Sequence, residues 1–329
     1  MADVDHSVKR VLIACDVKPL QGSRFQPAGF PDLGAASYQR PDGTTSLLVD
    51  SPQAVANHLE DLCLLPDRTD FVKPLQGLSI VHVKSPKGKY LTNSVLEGHR
   101  LASPYILGDK GKRTDVGKVF DKIDVPKGPM PDDADVYNTV FKYDINSLLH
   151  GMWLSRIGEG RIKIRRAVSA FIEADNASEA VSGGVKRDIV TTSISKPKKS
   201  TTGDVDDNEE KTADASTGHG SIPFHRVEYA AAGITAYFNV DLEQIRSYGL
   251  GADQTKLLET LALWKIRKFV ETPYRPRTAC DLAFDLKTLR VTPGDFKLPG
   301  IDKLERDITA GIASCRSQMS TSEVTHPVS

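Results

Sequence analysis

The chain has 329 residues, 39% of them hydrophobic and 26% charged, the balance of a water-soluble globular protein with a sizeable core. Its 43 basic and 43 acidic residues cancel, which excludes a uniformly basic nucleic-acid binder of pI above roughly 9 and leaves a segregated basic face as the electrostatic route to a polyanion. No apolar run approaches the ~18 residues of a membrane span, and the polar start MADVDHSVKR is unlike a secretion signal, so a cytoplasmic protein that touches no membrane is expected.

Cys15, Cys63, Cys280 and Cys315 lie far apart. Zinc sites need a closely spaced Cys or His pair, so reduced structural thiols and no metal are expected. The run RVLIACDV, residues 10 to 17, is apolar and β-prone and reads as a buried strand. The next segment, residues 19 to 34, is too rich in proline and glycine for a helix or inner strand and must be a shaped loop. Ser51 is an N-cap and Pro52 suits the first helical position, opening a helix with Val55, Leu59 and Leu62 inward and Gln53, Asn57 and Glu60 facing away.

GLSIVHVK, residues 77 to 84, reads as a strand, and residues 108 to 118 as a flexible loop. FKYDINSLLHGMWL, residues 141 to 154, is apolar and interrupted by turns. RIKIRR, residues 161 to 166, alternates strictly, so Ile162 and Ile164 share one side and Arg161, Lys163 and Arg165 the other. Residues 193 to 221 lack aromatic side chains and are rich in charge, which reads as the disordered tip of a hairpin whose strands are KRDIVTTS and IPFHRVEY. ITAYFNVDL turns Ile234, Ala236, Phe238, Val240 and Leu242 inward. A helix from Asp253 carries Leu257, Leu258, Leu261, Ala262, Ile266 and Phe269 to the core, and RTACDLAFDL alternates Cys280, Leu282, Phe284 and Leu286 inward. This order predicts an α+β protein built on a ferredoxin-like or RNA-recognition-motif sheet with large insertions.

Catalytic signatures fail. GKRTDVGKV at residues 111 to 119 has five residues between its glycines and Val119 where a phosphate-binding loop needs Ser or Thr; GEGRIK lacks the third glycine of a dinucleotide fingerprint. No nucleophile elbow or paired-histidine motif is present. His150 and Asp32 are the two starting points for acid–base chemistry, and the blander readings are a structural histidine and an exposed turn acid.

The basic strand is more informative. Its cations recur about every 6.6 Å, close to the repeat of a nucleic-acid backbone, against the alternative of a solvated, charge-protected edge strand. Further cations flank the hairpin in SGGVKRD and FHR, where Gly183 and Gly184 allow close approach to a phosphate. Gln53 and Asn57 are candidate donors to phosphates or sugars.

The motifs PLQGSRFQPAGFPDLGAASY, SPQAVANHLE, YDINSLLHG, AVSAFIEADN, SGGVK, PFHRVEY, ITAYFNVDLEQIRSYGLG and RTACDLAFD follow one another over roughly residues 10 to 290. Together they resemble the Cas-seven-type backbone subunit of type I-U, also called I-G, CRISPR Cascade complexes, of the RAMP superfamily. The resemblance implies a ferredoxin-like, RNA-recognition-motif palm over residues 1 to 290 with large finger and thumb insertions, the thumb a hairpin with a disordered tip about residues 185 to 228. Residues 291 to 329 would be a C-terminal helix and flexible tail. It implies an RNA-binding structural subunit of antiviral defence, without catalysis or cofactor, that holds guide crRNA along its sugar-phosphate chain and stacks head to tail with copies of itself. The guide then pairs with a target DNA strand. Other Cascade subunits, a large subunit and a guide-end-capping subunit, would join it, and a recruited helicase-nuclease would cut. Zero net charge suits a subunit whose opposite faces attract.

On this reading Gln21, Ser23, Arg24 and Gln26 of the loop, with Ser51, Gln53 and Asn57 of the helix, hold guide phosphates and sugars. Arg161, Lys163, Arg165, Lys186, Arg187, His225 and Arg226 line the groove or thumb. Asn146, Ser147 and His150 contact RNA or fix the palm, two roles that sequence does not separate; Arg246, Arg275 and Arg277 are weaker candidates. The alternatives are a RAMP endoribonuclease acting on guide precursor or target RNA, and a protein unrelated to nucleic acid.

Overall fold

The computed structural model describes residues 5–30, 34–109, 111–123, 134–157, 160–186, 222–278 and 280–326. At its centre the strand Arg10–Pro19 buries Val11, Ile13, Cys15 and Val17 and turns Leu12 and Lys18 to solvent. Gly233–Asp241 runs antiparallel to it with Ile13 opposite Phe238 and Cys15 opposite Ala236, so apolar positions meet on one face. Val168–Asp175 continues that face, with Ile172 opposite Ala236.

The full sheet has seven strands in the order Tyr274–Arg277, Cys280–Thr292, Arg10–Pro19, Gly233–Asp241, Val168–Asp175, Thr45–Asp50 and Ser37–Gln39, every pair antiparallel. Helix Pro52–Asp61 packs against Val168–Asp175, and helix Ala252–Val270 against Gly233–Asp241 and Cys280–Thr292. Both helices cover the face that carries Val11, Ile13 and Phe238.

Helix Pro52–Asp61 starts where expected, because the Ser51 side chain accepts from the Ala54 N–H. Glu60, however, is only 5% exposed instead of facing away. Helix Ala252–Val270 buries the six expected apolar residues and also Trp264, which bonds Glu305 of helix Ile301–Ser314, Glu259, paired with Arg246, and Lys265, bonded to Asn146.

Three expectations are corrected by packing. Leu286 is 42% exposed, since Cys280–Thr292 runs on past the aromatic group of Phe269, Tyr274 and Phe284. Residues 108 to 118 are not a plain loop: Gly108–Asp109 pairs with Lys112–Arg113, and Thr114 caps helix Asp115–Asp121 through the Gly117 N–H. The tail is ordered as far as the description reaches, because Thr321–Thr325 adds a parallel strand to Ile80–Lys84. The acidic insert and Asp32 lie outside the described residues. All four cysteines are buried free thiols. Among the described residues no helix is long and apolar enough to cross a membrane.

Candidate nucleic-acid interface

The basic segment folds as a hairpin of Met152–Ile157 with Gly160–Ile164. Met152 faces Ile164 and Leu154 faces Ile162, and all four side chains are buried. Burial of each isoleucine contributes on the order of 2 kcal/mol to holding the hairpin on the core. The alternate positions, Arg161 and Lys163, are therefore forced outward, and Arg165 beyond the strand end is exposed with them.

Two devices fix the hairpin's base. Gly151 adopts φ +77 where the chain leaves helix Ile145–His150, and a Cβ there would lie 2.8 Å from the Ile164 carbonyl. Its own carbonyl accepts from Arg100 Nη1 at 3.2 Å.

Among the described residues, Arg161, Lys163 and Arg165 pair with no carboxylate. Several exposed cations elsewhere are matched, Arg10 with Asp241, Lys18 with Asp285, Arg68 with Asp61, Arg275 with Asp281 and Arg290 with Asp16, whereas others such as Lys87, Lys89 and Lys297 pair with no carboxylate among the described residues. The strip is thus positive with no matching carboxylate among the described residues.

The polar helix face adjoins that strip. Gln53 Nε2 donates to Asn57 Oδ1 at 2.8 Å, and Gln53 Oε1 accepts from Arg166 Nη2, so the residue ending the basic segment clasps the helix. Arg166 falls outside the alternation that picked out its neighbours and was missed; its adjacency to Arg165 was the available signal. Ser51 lends its oxygen to the helix cap, so it serves the fold first.

Asn146, Ser147 and His150 lie inside, at 2, 0 and 1% exposure. Arg100 grips Glu60 through two bonds of 2.6 and 2.9 Å, and Asn146 Nδ2 donates to the same carboxylate at 2.6 Å. Lys265 Nζ donates to Asn146 Oδ1 and lies 2.9 Å from His150 Nε2. An ammonium donor requires the lone pair on Nε2, so the imidazole is neutral; burial, then Lys265 and Arg100, hold its pKa well below the usual histidine value. This enclosure takes Asn146, Ser147 and His150 off the surface and removes His150 from any surface acid–base pair. His150 Nδ1 has no partner among the described residues.

The second group gathers on the long hairpin. Ser178–Lys186 pairs with Ile222–Ala230, and Arg24–Phe25 of the shaped loop adds a third strand; of the expected strand KRDIVTTS only Lys186 lies among the described residues. Glu228 takes up much of the charge here. It lies 3.1 Å from Arg24 Nη1 and 3.6 Å from Arg226 Nη1, and accepts from Ser182 at 3.1 Å. Arg24 and Arg226 therefore differ from the unmatched hairpin cations. Gln21, Ser23, Lys186 and His225 are exposed, Gln26 is half-buried, and His225 sits opposite Gly183. Arg187 lies outside the described residues.

The weaker candidates each pair with an acid. Arg246 binds Glu259 at 2.7 Å and the carbonyls of His6 and Val8. Arg275 is taken by Asp281. Arg277 stitches the Gln26 and Val49 carbonyls to the Asp50 carboxylate, which ties the loop to the residues before the Ser51 cap. Among the described residues no three metal-ligating side chains converge.

A family model described as CRISPR-associated protein GSU0053 matches residues 11–179, just over half of the chain. No curated protein matches it significantly. Among solved structures, a chain of a CRISPR RNA-guided surveillance complex in a pre-nicking state is 14% identical, with 86% of this chain and 75% of that one covered at a TM-score of 0.42. Csc2 of Thermofilum pendens is 10% identical over 94% of this chain and 79% of that one, at 0.32. A further CRISPR RNA-guided surveillance complex chain is 13% identical over 94% and 88%, at 0.30.

Proposed function

The chain belongs to the GSU0053 family of CRISPR-associated proteins, and we propose that it is the repeated backbone subunit of a Cascade-type complex, binding guide crRNA along its sugar-phosphate chain without catalysing a reaction. The observation that carries this reading is the hairpin of residues 152–164, whose register sets Arg161 and Lys163 on one exposed face, followed by Arg165, with no carboxylate paired to them among the described residues. Phosphates supply the missing counter-charge, and no base-specific contact is needed when base pairing reads the sequence.

The palm reading follows the same line. Cys280–Thr292, Arg10–Pro19, Gly233–Asp241 and Val168–Asp175 stand in the order fourth, first, third, second, with one helix after the first strand and one after the third. That order supports a ferredoxin-like palm. On this reading the hairpin of 178–186 with 222–230 is the thumb, the insertions after helix Pro52–Asp61 form the finger region, and helix Ile301–Ser314 follows the palm. Copies stack head to tail, with target DNA, the other subunits and a helicase-nuclease as later partners. A RAMP endoribonuclease built on His150 is disfavoured because that imidazole is enclosed and held neutral.

The test is to express the chain with its CRISPR array and partner subunits and to sequence the RNA that co-purifies. Guide-length transcripts on an assembly of several copies are expected. A solitary, RNA-free protein under those conditions contradicts the proposal.

A further inference from the structure

Trp153 is 60% exposed, the most exposed aromatic side chain among the described residues, whereas Trp264 is completely buried. The hairpin register forces this position outward. Met152 and Leu154 on either side point into the core against Ile164 and Ile162, so Trp153 projects beside its cross-strand partner Lys163. Arg161 and Arg165 stand on the same face at steps of about 6.6 Å. Among the described residues no ring stacks on the indole and no cation sits over it.

A large apolar ring left in water beside cations that pair with no carboxylate among the described residues fits few partners. Another protein surface that dried the indole would also strip water from Lys163 and its neighbours, which needs a carboxylate for each. Single-stranded nucleic acid satisfies both demands with one polymer: phosphates for the cations and a base face for the ring. Resting on the proposal that this hairpin grips RNA, we infer that Trp153 is a base-stacking residue, on which one nucleobase of a single-stranded RNA lies while Lys163, Arg161 and Arg165 hold the adjoining phosphates. Every base offers a π face, so the contact tolerates any sequence.

The experiment uses the full chain, an oligoadenylate of about a dozen nucleotides, and a ribose-phosphate oligomer of equal length without bases. Trp153→Phe subtracted from the unaltered chain isolates the emission of Trp153, since Trp264 is buried. Oligoadenylate is expected to quench that emission and the abasic oligomer to leave it unchanged. Trp153→Ala is expected to weaken oligoadenylate binding roughly 5- to 100-fold while leaving the abasic oligomer's affinity as it was. Trp153→Phe keeps most of the binding, and Arg161→Ala weakens both probes. Unchanged emission with unchanged affinity in Trp153→Ala, while Arg161→Ala still binds less, overturns stacking and leaves RNA binding standing. Emission that shifts with protein concentration alone assigns the indole to a contact between copies and overturns it too. If the unaltered chain binds neither oligomer, both the inference and the RNA-binding proposal fall.

Discussion

Glu60 stands one residue from the end of its helix, yet it carries the negative charge for a buried cluster that includes Arg100, Asn146 and, through Asn146, Lys265. Removing one member of a buried ion pair leaves the other uncompensated, which costs about 3–5 kcal/mol. Glu60→Ala is therefore expected to lower unfolding stability by that amount in urea titration. A loss under about 1 kcal/mol, the range of surface pairs, contradicts the network as drawn. Asp144, beside this cluster, is fully buried, and burial raises its pKa from 3.8 to about 6. Between those values the native state keeps a proton that the unfolded chain has lost, so stability falls as pH rises through that window and levels off above it. Asp144→Asn retains a capping oxygen and removes the titration. Relative to that variant, the unaltered chain is expected to lose on the order of 3 kcal/mol between about pH 4 and 7. A pH-independent difference would show that Asp144 is charged throughout.

At the scale of elements, the basic hairpin separates two faces with opposite tolerance. Ile162→Asp puts a charge among Leu154, Ile164 and the core and is expected to unfold the hairpin and lower the melting temperature. Lys163→Glu on the exposed face is expected to leave the melting temperature within a few degrees of the original, since surface substitutions seldom exceed ~0.5 kcal/mol. Equal destabilisation by the two would contradict the register. The alternation of RIKIRR already contained this two-faced strand, as did that of RVLIACDV and ITAYFNVDL, because a period of two decides burial within a few residues. Elements whose partners are distant in sequence were not legible in the same way. Glu60 reads as a solvent residue until Arg100 arrives from forty positions away. Thr321–Thr325 reads as a loose tail until Ile80–Lys84 offers an edge. Leu286 fits its strand's alternation, and only the end of the covered core leaves it wet.

For the whole molecule, zero net charge hides an uneven distribution. Some exposed cations, Arg10, Lys18 and Arg290 among them, are matched by carboxylates, and the long hairpin keeps Glu228 against Arg24 and Arg226, while Arg161, Lys163 and Arg165 pair with none among the described residues. Composition did not reveal this, because pairing is a property of three-dimensional neighbours. The candidate site was accordingly half legible: the cations of 161–165 and the Gln53–Asn57 face were readable from spacing, whereas the Arg166 clasp between them and the enclosure of Asn146, Ser147 and His150 depended on the fold.

The deciding measurement is the affinity of the full chain for single-stranded RNA across a salt series, with Arg161→Ala combined with Lys163→Ala as the comparison. Each phosphate contact contributes about 0.7 to the slope of log affinity against log salt on a single strand. The unaltered chain is expected to bind with a steep negative slope, and the double variant to bind more weakly with a slope shallower by about 1.4. Identical affinities and slopes for the two proteins would mean that the hairpin does not grip the backbone.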